Sequence, residues 1–436
     1  MVHRSLVGMS LPLSFRSLLQ QKNILLLQGP IGFFFDSLAR TLLASGKNVH
    51  KIHFNGGDWM FYDATPASSF RGTDDEWPGF LTDAIQQHNI DAIVLFGQMR
   101  KLKVKAREIA KQLGVAVYVF EEGYIRPNYV TLEKDGVNGL SSLPSKRSEY
   151  AFWRKTPMFD PAKTGQNFSR TAWLAMAYAL AMYISKPFFP HYEHHRCMHP
   201  IKEGLRWVRA AFRKYRYQPI DLKVRQHLLS KEQRKNWFIV PLQVHNDSQI
   251  MAHSQYESVE DFIRKVVKSF AANADTKYSL VFKHHPLDKP YTDYSKLLAN
   301  LENAYHLRGR IFYVHDLHLP TLIKRARGMV TINSTAGLQS LFHRCPVKVM
   351  GESCYGIPGL TYQGALEDFW SDPGEVNYEF YQRFRSFMID QTQLNVSFYA
   401  GMPALDDIPY HDAVEDGLSP ALNLESPGLE QRRIAL

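Results

Sequence analysis

Three cysteines in 436 residues, Cys197, Cys345 and Cys354, are too few and too scattered for a disulfide framework, and none sits in a C-x-x-C pair. That usage fits a reducing compartment. There is no D-x-D pair of the kind that holds a metal-bound nucleoside diphosphate, and no apolar run reaches the length that spans a bilayer. The longest, Trp173 to Ile184, suits a buried or interfacial helix. The opening MVHRSLVGMSLPLSFRSLLQQK is basic but lacks the apolar centre of a secretory signal. Acid is in deficit, with 42 Asp and Glu against 52 Lys and Arg, a formal charge of +10 that points to an anionic partner. Basic strand faces with interleaved aromatics are missing, so nucleic acid is not the expected partner. The expected place is the cytoplasm, on the inner face of the membrane.

What is present is α/β alternation in two runs. NILLLQG, NVHKIHF, IDAIVLFG and VAVYVF read as buried strands separated by helical segments over residues 1–150. The loop GPIGFF after the first strand lacks a full phosphate-binding pattern, and a tight turn is its nearer reading. Gly29 and Gly32 there, and Asp58 in FNGGDW, are carried as substrate-side candidates. Residues 151–235 differ in character. An apolar stretch precedes the histidine-rich HYEHHRCMH and a basic segment in which Leu205, Val208, Ala211 and Phe212 recur at helical spacing. This segment suits an anionic lipid surface; the plainer alternative is a charged helix packed on its own domain. His191, His194, His195, Cys197 and His199 match no standard zinc spacing, and no metal is expected. The alternation restarts over residues 236–375. A helix over 376–400 is expected to pack back, and residues 401–436 form a loose tail. Two Rossmann-like domains facing a cleft is the architecture this pattern implies.

Three polar groups stand at strand ends in the second run. They are Gln243 to Asp247 after WFIV, Lys283-His284-His285-Pro286 after YSLVF, and Asn333-Ser334-Thr335 after MVTI. Ligands of parallel sheets bind outside the carboxyl ends of the strands, so these groups should converge. Histidine, lysine and hydroxyls at a helix start suit a phosphate. Asp247 could equally cap the helix after it, and Ser334 could be a plain N-cap. In the first run Glu121-Glu122-Gly123 ends a strand, with Arg126 close by. Paired carboxylates in unlike surroundings can divide acid and base roles, although ordinary pairing with Arg126 is the plainer reading.

Glu121-Glu122-Gly123, His285-Pro286 and Ser334-Thr335, in that order, resemble the D/E-D/E-G, HP and S-S/T motifs of bacterial sialyltransferases. There the acidic motif serves the acceptor and the other two hold the CMP of the donor. The segments LLLQGPIGFFFDSLA, FNGGDW, EEGYIRPNYVTLE, VPLQVHNDSQI, FKHHPLD, TINSTAGLQSL and YGIPGLT resemble the KpsS-type capsule polysaccharide β-Kdo transferases. The likeness runs from about Asn23 to Tyr399, and the single motif set favours that type over the longer, two-module KpsC type. The resemblance implies a GT-B-like fold. It also implies CMP-Kdo as donor and no metal or other cofactor. The acceptor would be a lyso- or diacyl-phosphatidylglycerol, with other capsule biosynthesis proteins as partners. A β-linked product from a β-configured donor means retention, which two inversions through a carboxylate nucleophile would give. Asp247 is the expected nucleophile and Glu122 the base, with Glu121 second choice. His285, Pro286, Lys283, His284, Ser334, Thr335, Asn333 and Gln243 would hold the donor; Lys283 or Arg126 would pair with its sugar carboxylate. The alternative is a non-catalytic GT-B-like scaffold that recruits capsule biosynthesis and export proteins to the membrane.

Overall fold

Two parallel sheets account for the two runs. The computed structural model describes residues 11–153, 164, 168–194 and 200–402. The first sheet holds β1 (Asn23–Leu26), β2 (Asn48–His53), β3 (Ala67–Ser69), β4 (Ala92–Phe96), β5 (Ala116–Glu122) and β6 (Val130–Lys134). The second holds β7 (Trp237–Pro241), β8 (Ser279–Lys283), β9 (Ile311–Val314), β10 (Gly328–Thr331) and β11 (Val347–Val349). A last short strand, β12 (Gln393–Leu394), returns to the first sheet, giving the orders β12-β6-β5-β4-β1-β2-β3 and β11-β10-β7-β8-β9. Pairing is parallel except for β5 with β6 and β6 with β12. These are the two Rossmann-like domains that the alternation implied, in the GT-B-like α/β architecture that the resemblance implied.

The strands are apolar because both faces are covered. All five residues of β7 and of β8 are buried. Helices α1 (Leu13–Leu19), α2 (Phe34–Ala44), α3 (Gly56–Met60), α4 (Trp77–Gln87) and α5 (Lys101–Gln112) belong to the first domain. The second domain has α8 (Ser248–His253), α9 (Val259–Asn273), α10 (Ser295–Ala304), α11 (Leu319–Ile323), α12 (Ala336–Phe342) and α13 (Leu366–Phe369). Helix α9 shows the local logic. Ser258 caps it by accepting from the Asp261 amide, and Val259, Phe262, Ile263, Val266, Val267 and Phe270 form one buried stripe.

Between the domains lie α6 (Phe168–Ile184) and α7 (Pro200–Leu228), and α14 (Tyr378–Thr392) is the last helix among the described residues. Helix α14 packs on α1 and β6. The periodicity suggested a helix to Tyr399, but it stops at Thr392 because Gln393 and Leu394 pair with Thr131 and Val130. Phe398 then enters the first domain's core, edge-on to Phe34 and Phe96. Most of the residues 401–436 read as a tail lie outside the described residues; Met402 N–H still bonds the Ser37 hydroxyl at 2.8 Å.

Candidate active site

The carboxyl ends of the two sheets face each other across a cleft of about 720 Å³. One wall carries Gln28 after β1, Arg100 after β4 and Glu121, Glu122 and Arg126 at the end of β5. The other carries Gln243 and Asp247 after β7, His285 after β8, and Asn333, Ser334 and Thr335 after β10. The walls are close enough to feel each other's charge. Arg126 and Asp247 both act on His285, and Asp247 acts on Glu121.

The acidic motif is held by backbone geometry. A Cβ on Gly123 would stand 2.1 Å from the Tyr129 carbonyl oxygen, so only glycine lets the chain turn there. The next amide, Tyr124 N–H, is bound by Thr131 Oγ1 at 3.2 Å and by Gln393 Oε1 at 3.1 Å. The returning β12 thus pins the loop that presents the two glutamates. Desolvation between the cleft walls pushes the Glu121 carboxyl up to about 7, although its Oε1 accepts the Glu122 amide at 3.1 Å. Behind the motif, Glu133 is fully buried, accepts from the Tyr124 and Ser141 hydroxyls, and is likewise raised by burial to about 7.

On the other wall Asp247 does cap α8, with Oδ1 accepting the Gln249 amide at 3.0 Å. The same carboxylate lines the cleft, and its Oδ2 accepts from Gln243 Nε2 at 3.0 Å. Gln243 also donates to Asn333 Oδ1 at 3.0 Å, tying the ends of β7 and β10 together. His285 Nδ1 accepts the Leu287 amide at 3.2 Å. Burial holds its pKa down at about 4, so the ring is neutral at pH 7 with its proton on Nε2, free to donate. Ser334 Oγ accepts the Ala336 amide at 3.2 Å and keeps its own hydrogen to give. Gly337 makes room for Tyr355, whose hydroxyl donates to the Ser334 carbonyl.

Several sequence candidates do not reach the cleft. Lys283 is buried, with Nζ donating to the His284 and His315 carbonyls. Burial lowers it to about 8. It therefore cannot pair with a donor carboxylate, and Arg126 is the cation of that pair that lines the cleft. His284 points into the core, where its Nδ1 and the Tyr313 hydroxyl lie 2.6 Å apart. Pro286 only shapes the turn after His285. A Cβ on Gly29 would meet the Phe35 ring at 2.6 Å, and Gly32 takes φ +105 beneath Leu174, so both serve the turn into α2.

Asp58 is structural as well. It accepts from Phe54 N–H at 2.9 Å and from the Tyr178 hydroxyl of α6 at 3.1 Å. FNGGDW is the socket for α6. A Cβ on Gly57 would lie 2.5 Å from the Tyr178 ring, and one on Gly56 2.1 Å from Ser185 Oγ. Gly57→Ala should therefore cost about 1–3 kcal/mol by overpacking. A thermal melt indistinguishable from the parent would show that α6 does not sit in this socket.

Sequence reasoning passed over Gln28 and Arg100. Both stand at carboxyl ends of strands it identified, and the rule that found Asp247 and Glu121 would have found them. His191, Tyr192, Glu193 and His194 line the cleft, whereas His195, Cys197 and His199 lie outside the described residues. Among the described residues no group of three His, Cys, Asp or Glu side chains is placed to hold a metal. No described helix is long and apolar enough to cross a membrane.

Residues 91–399 match the family model described as "Capsule polysaccharide biosynthesis protein". The chain is 39% identical to the "Capsule polysaccharide export protein KpsS" of Escherichia coli, over 88% of this chain and 98% of that one. It is also 39% identical to the "Capsule polysaccharide modification protein LipB" of Neisseria meningitidis, over 87% and 92%. Among solved structures, Thermosulfurimonas dismutans "KpsC, beta Kdo 2,7 transferase" aligns over 84% of this chain and 99% of that one. Its identity is 14% and its TM-score 0.38, too distant to carry an argument about the reaction.

Proposed function

Because the chain belongs to the family of capsule polysaccharide biosynthesis proteins, we propose that its cleft transfers Kdo from CMP-Kdo, with retention, to a phosphatidylglycerol lipid. The observation that carries this reading is the meeting of two unlike walls in one cleft: carboxylates and Arg126 on one side, and Asp247 with phosphate-suited donors on the other. His285 Nε2–H and the Ser334 and Thr335 hydroxyls would bind the CMP phosphate. The Asp247 carboxylate attacks the anomeric carbon, the bond from that carbon to the phosphate oxygen breaks, and CMP leaves with the electron pair. An acceptor hydroxyl then gives its proton to a glutamate and attacks the same carbon, releasing Asp247. Glu121 ranks ahead of Glu122 here, a reversal of the sequence order, because a carboxyl near 7 is better matched to accepting a proton at neutral pH. CMP is a monophosphate leaving group, and the reading involves no metal.

A lipid acceptor is supported by the outer face of α6 and α7, which pack against each other. Trp173, Met176, Leu180 and Ile184 on α6 are 54–66% exposed. Leu205, Val208, Phe212 and Tyr215 on α7 are 66–73% exposed. Meanwhile two α7 arginines, Arg209 and Arg213, reach back onto the second domain. Arg213 donates to the Lys289 and Thr292 carbonyls at 2.7 and 2.8 Å, and Arg209 donates to the Pro290 carbonyl. The helix thus presents its apolar side outward, with exposed Lys202, Lys214 and Arg216 to meet anionic headgroups. This arrangement favours a bilayer surface over a solvated charged helix.

Incubation with CMP-Kdo and phosphatidylglycerol vesicles should release CMP and give a lipid carrying Kdo, read by mass spectrometry. Neutral phosphatidylcholine vesicles, or high salt, should suppress both vesicle flotation and product. No CMP release with or without lipid would leave the non-catalytic scaffold reading in its place.

A further inference from the structure

We propose that Arg100, together with the first turn of α5, forms an oxyanion subsite that binds the phosphate of the acceptor. The inference rests on the transfer reading above for the identity of the acceptor, but its geometry stands apart from it. Arg100 follows β4, the strand between β1 and β5, so it stands in the same wall as Glu121 and Glu122 and away from the donor motifs. Its guanidinium is aimed. Nη1 donates to Gln28 Oε1 at 2.8 Å, and Gln28 is itself fixed because its Nε2 donates to the Tyr192 and Tyr178 hydroxyls at 2.7 and 3.1 Å. Tyr178 is anchored in turn by Asp58 and Asn55. A chain of hydrogen bonds therefore runs from the lipid-side helix α6 to a cation in the cleft. No carboxylate among the described residues forms an ion pair with Arg100, so its remaining N–H donors are open to a ligand.

Two further features make the spot attractive to an anion. Arg100 is the N-cap of a twelve-residue helix and has an extended backbone. No side chain caps the first turn, and Arg100 to Lys103 line the cleft. Lys103, 3% exposed, brings a buried amine to the same wall, where it donates to the Phe96 carbonyl. Burial lowers its pKa well below the ordinary lysine value, and it feels both Arg100 and Glu121. An anion bound here would share the wall of the proposed base, and Phe54, Phe70 and Tyr192 line the same cleft, available to the glycerol and first acyl carbons. The subsite would thus select phosphate-bearing acceptors and hold their hydroxyl toward Glu121.

The test separates this proposal from the transfer reading by starting with binding. Glycerophosphoglycerol, the soluble diester headgroup, is titrated into CMP-loaded protein by calorimetry, with inorganic phosphate and glycerol as parallel probes. The expected result is salt-sensitive binding of the diester, weaker binding of phosphate and none of glycerol, with a loss of tenfold or more in Arg100→Gln and partial rescue in Arg100→Lys. Tyr178→Phe, which keeps the ring in its glycine socket but removes one of the two hydroxyls that fix Gln28, should fall between. Equal diester binding by Arg100→Gln, or none by the parent protein, overturns the subsite whether or not transfer occurs. In the transfer assay Arg100→Gln should raise the KM for the lipid tenfold or more and leave the KM for CMP-Kdo unchanged. A raised CMP-Kdo KM instead would assign Arg100 to the donor's carboxylate and overturn the proposal. Absence of any transfer by the parent protein, with diester binding intact, would remove the transfer reading and leave the anion subsite standing.

Discussion

Asp247→Asn is expected to reduce sugar transfer on the order of 10³-fold or more while leaving CMP affinity within about twofold. The substitution is a clean one. Asparagine caps a helix as well as aspartate, so the bond from the Gln249 amide survives and α8 keeps its start. Its amide nitrogen replaces the Oδ2 that accepts from Gln243 Nε2 at 3.0 Å, a local cost, but the nucleotide-side donors His285 and Ser334 do not depend on that bond. His285→Ala should behave oppositely, weakening CMP by about 1–3 kcal/mol through the lost charge-assisted bond. Covalent trapping decides the role. With Glu121→Gln slowing the second displacement, Kdo mass should accumulate on the peptide that contains Asp247, and Asp247→Asn should abolish it. Adduct on Glu121 or Glu122 would exchange the two roles. A fully active Asp247→Asn enzyme would reduce Asp247 to the helix cap that it also is.

That double character of Asp247 shows what a sequence can and cannot reveal. Buried parallel strands are legible because both faces need apolar side chains, and their carboxyl ends then point to the polar residues that follow. Asp247, His285, Ser334 and the Glu121–Glu122 pair were found in this way, and all line one cleft. Direction was not legible. Side chains alternate along a strand, so in Lys283-His284-His285 the pattern cannot say which emerges, and the structure turns Lys283 and His284 inward. The short β3, β6 and β12 were passed over because their apolar runs are brief and their partners lie far along the chain. Gly56, Gly57 and Asp58 look like a ligand loop in one dimension. Their partner is Tyr178, some 120 residues on, which no local pattern announces. The α7 amphipathicity was visible, but not that Arg209 and Arg213 would reach back onto carbonyls at 289–292.

The rate of transfer should rise with pH up to about 7 and then level, losing roughly tenfold per pH unit below that point, if Glu121 is the base. The sign follows from burial. Desolvation favours the neutral carboxyl, so below about 7 Glu121 holds its proton and cannot take one from the acceptor. Glu121→Gln should cost on the order of 10²–10⁴ in rate and abolish the acid limb, leaving CMP affinity unchanged. Stability must be kept apart, because the same shift acts on it with the opposite sign. A carboxyl raised from 4.5 to about 7 binds more protons in the folded than in the unfolded chain between those values. Its contribution is fully present below pH 4.5 and is lost as pH rises through 7. Glu133 supplies the control. It has the same raised value but sits behind Tyr124, outside the cleft lining. Glu133→Gln should flatten the decline in stability between pH 4.5 and 7, worth on the order of 3 kcal/mol for a fully buried carboxylate, and leave the midpoint of the rate profile in place. An acid limb that survives Glu121→Gln but vanishes in Glu122→Gln would move the base to Glu122. One that vanishes only in Glu133→Gln would show that the profile reports folding and not proton transfer.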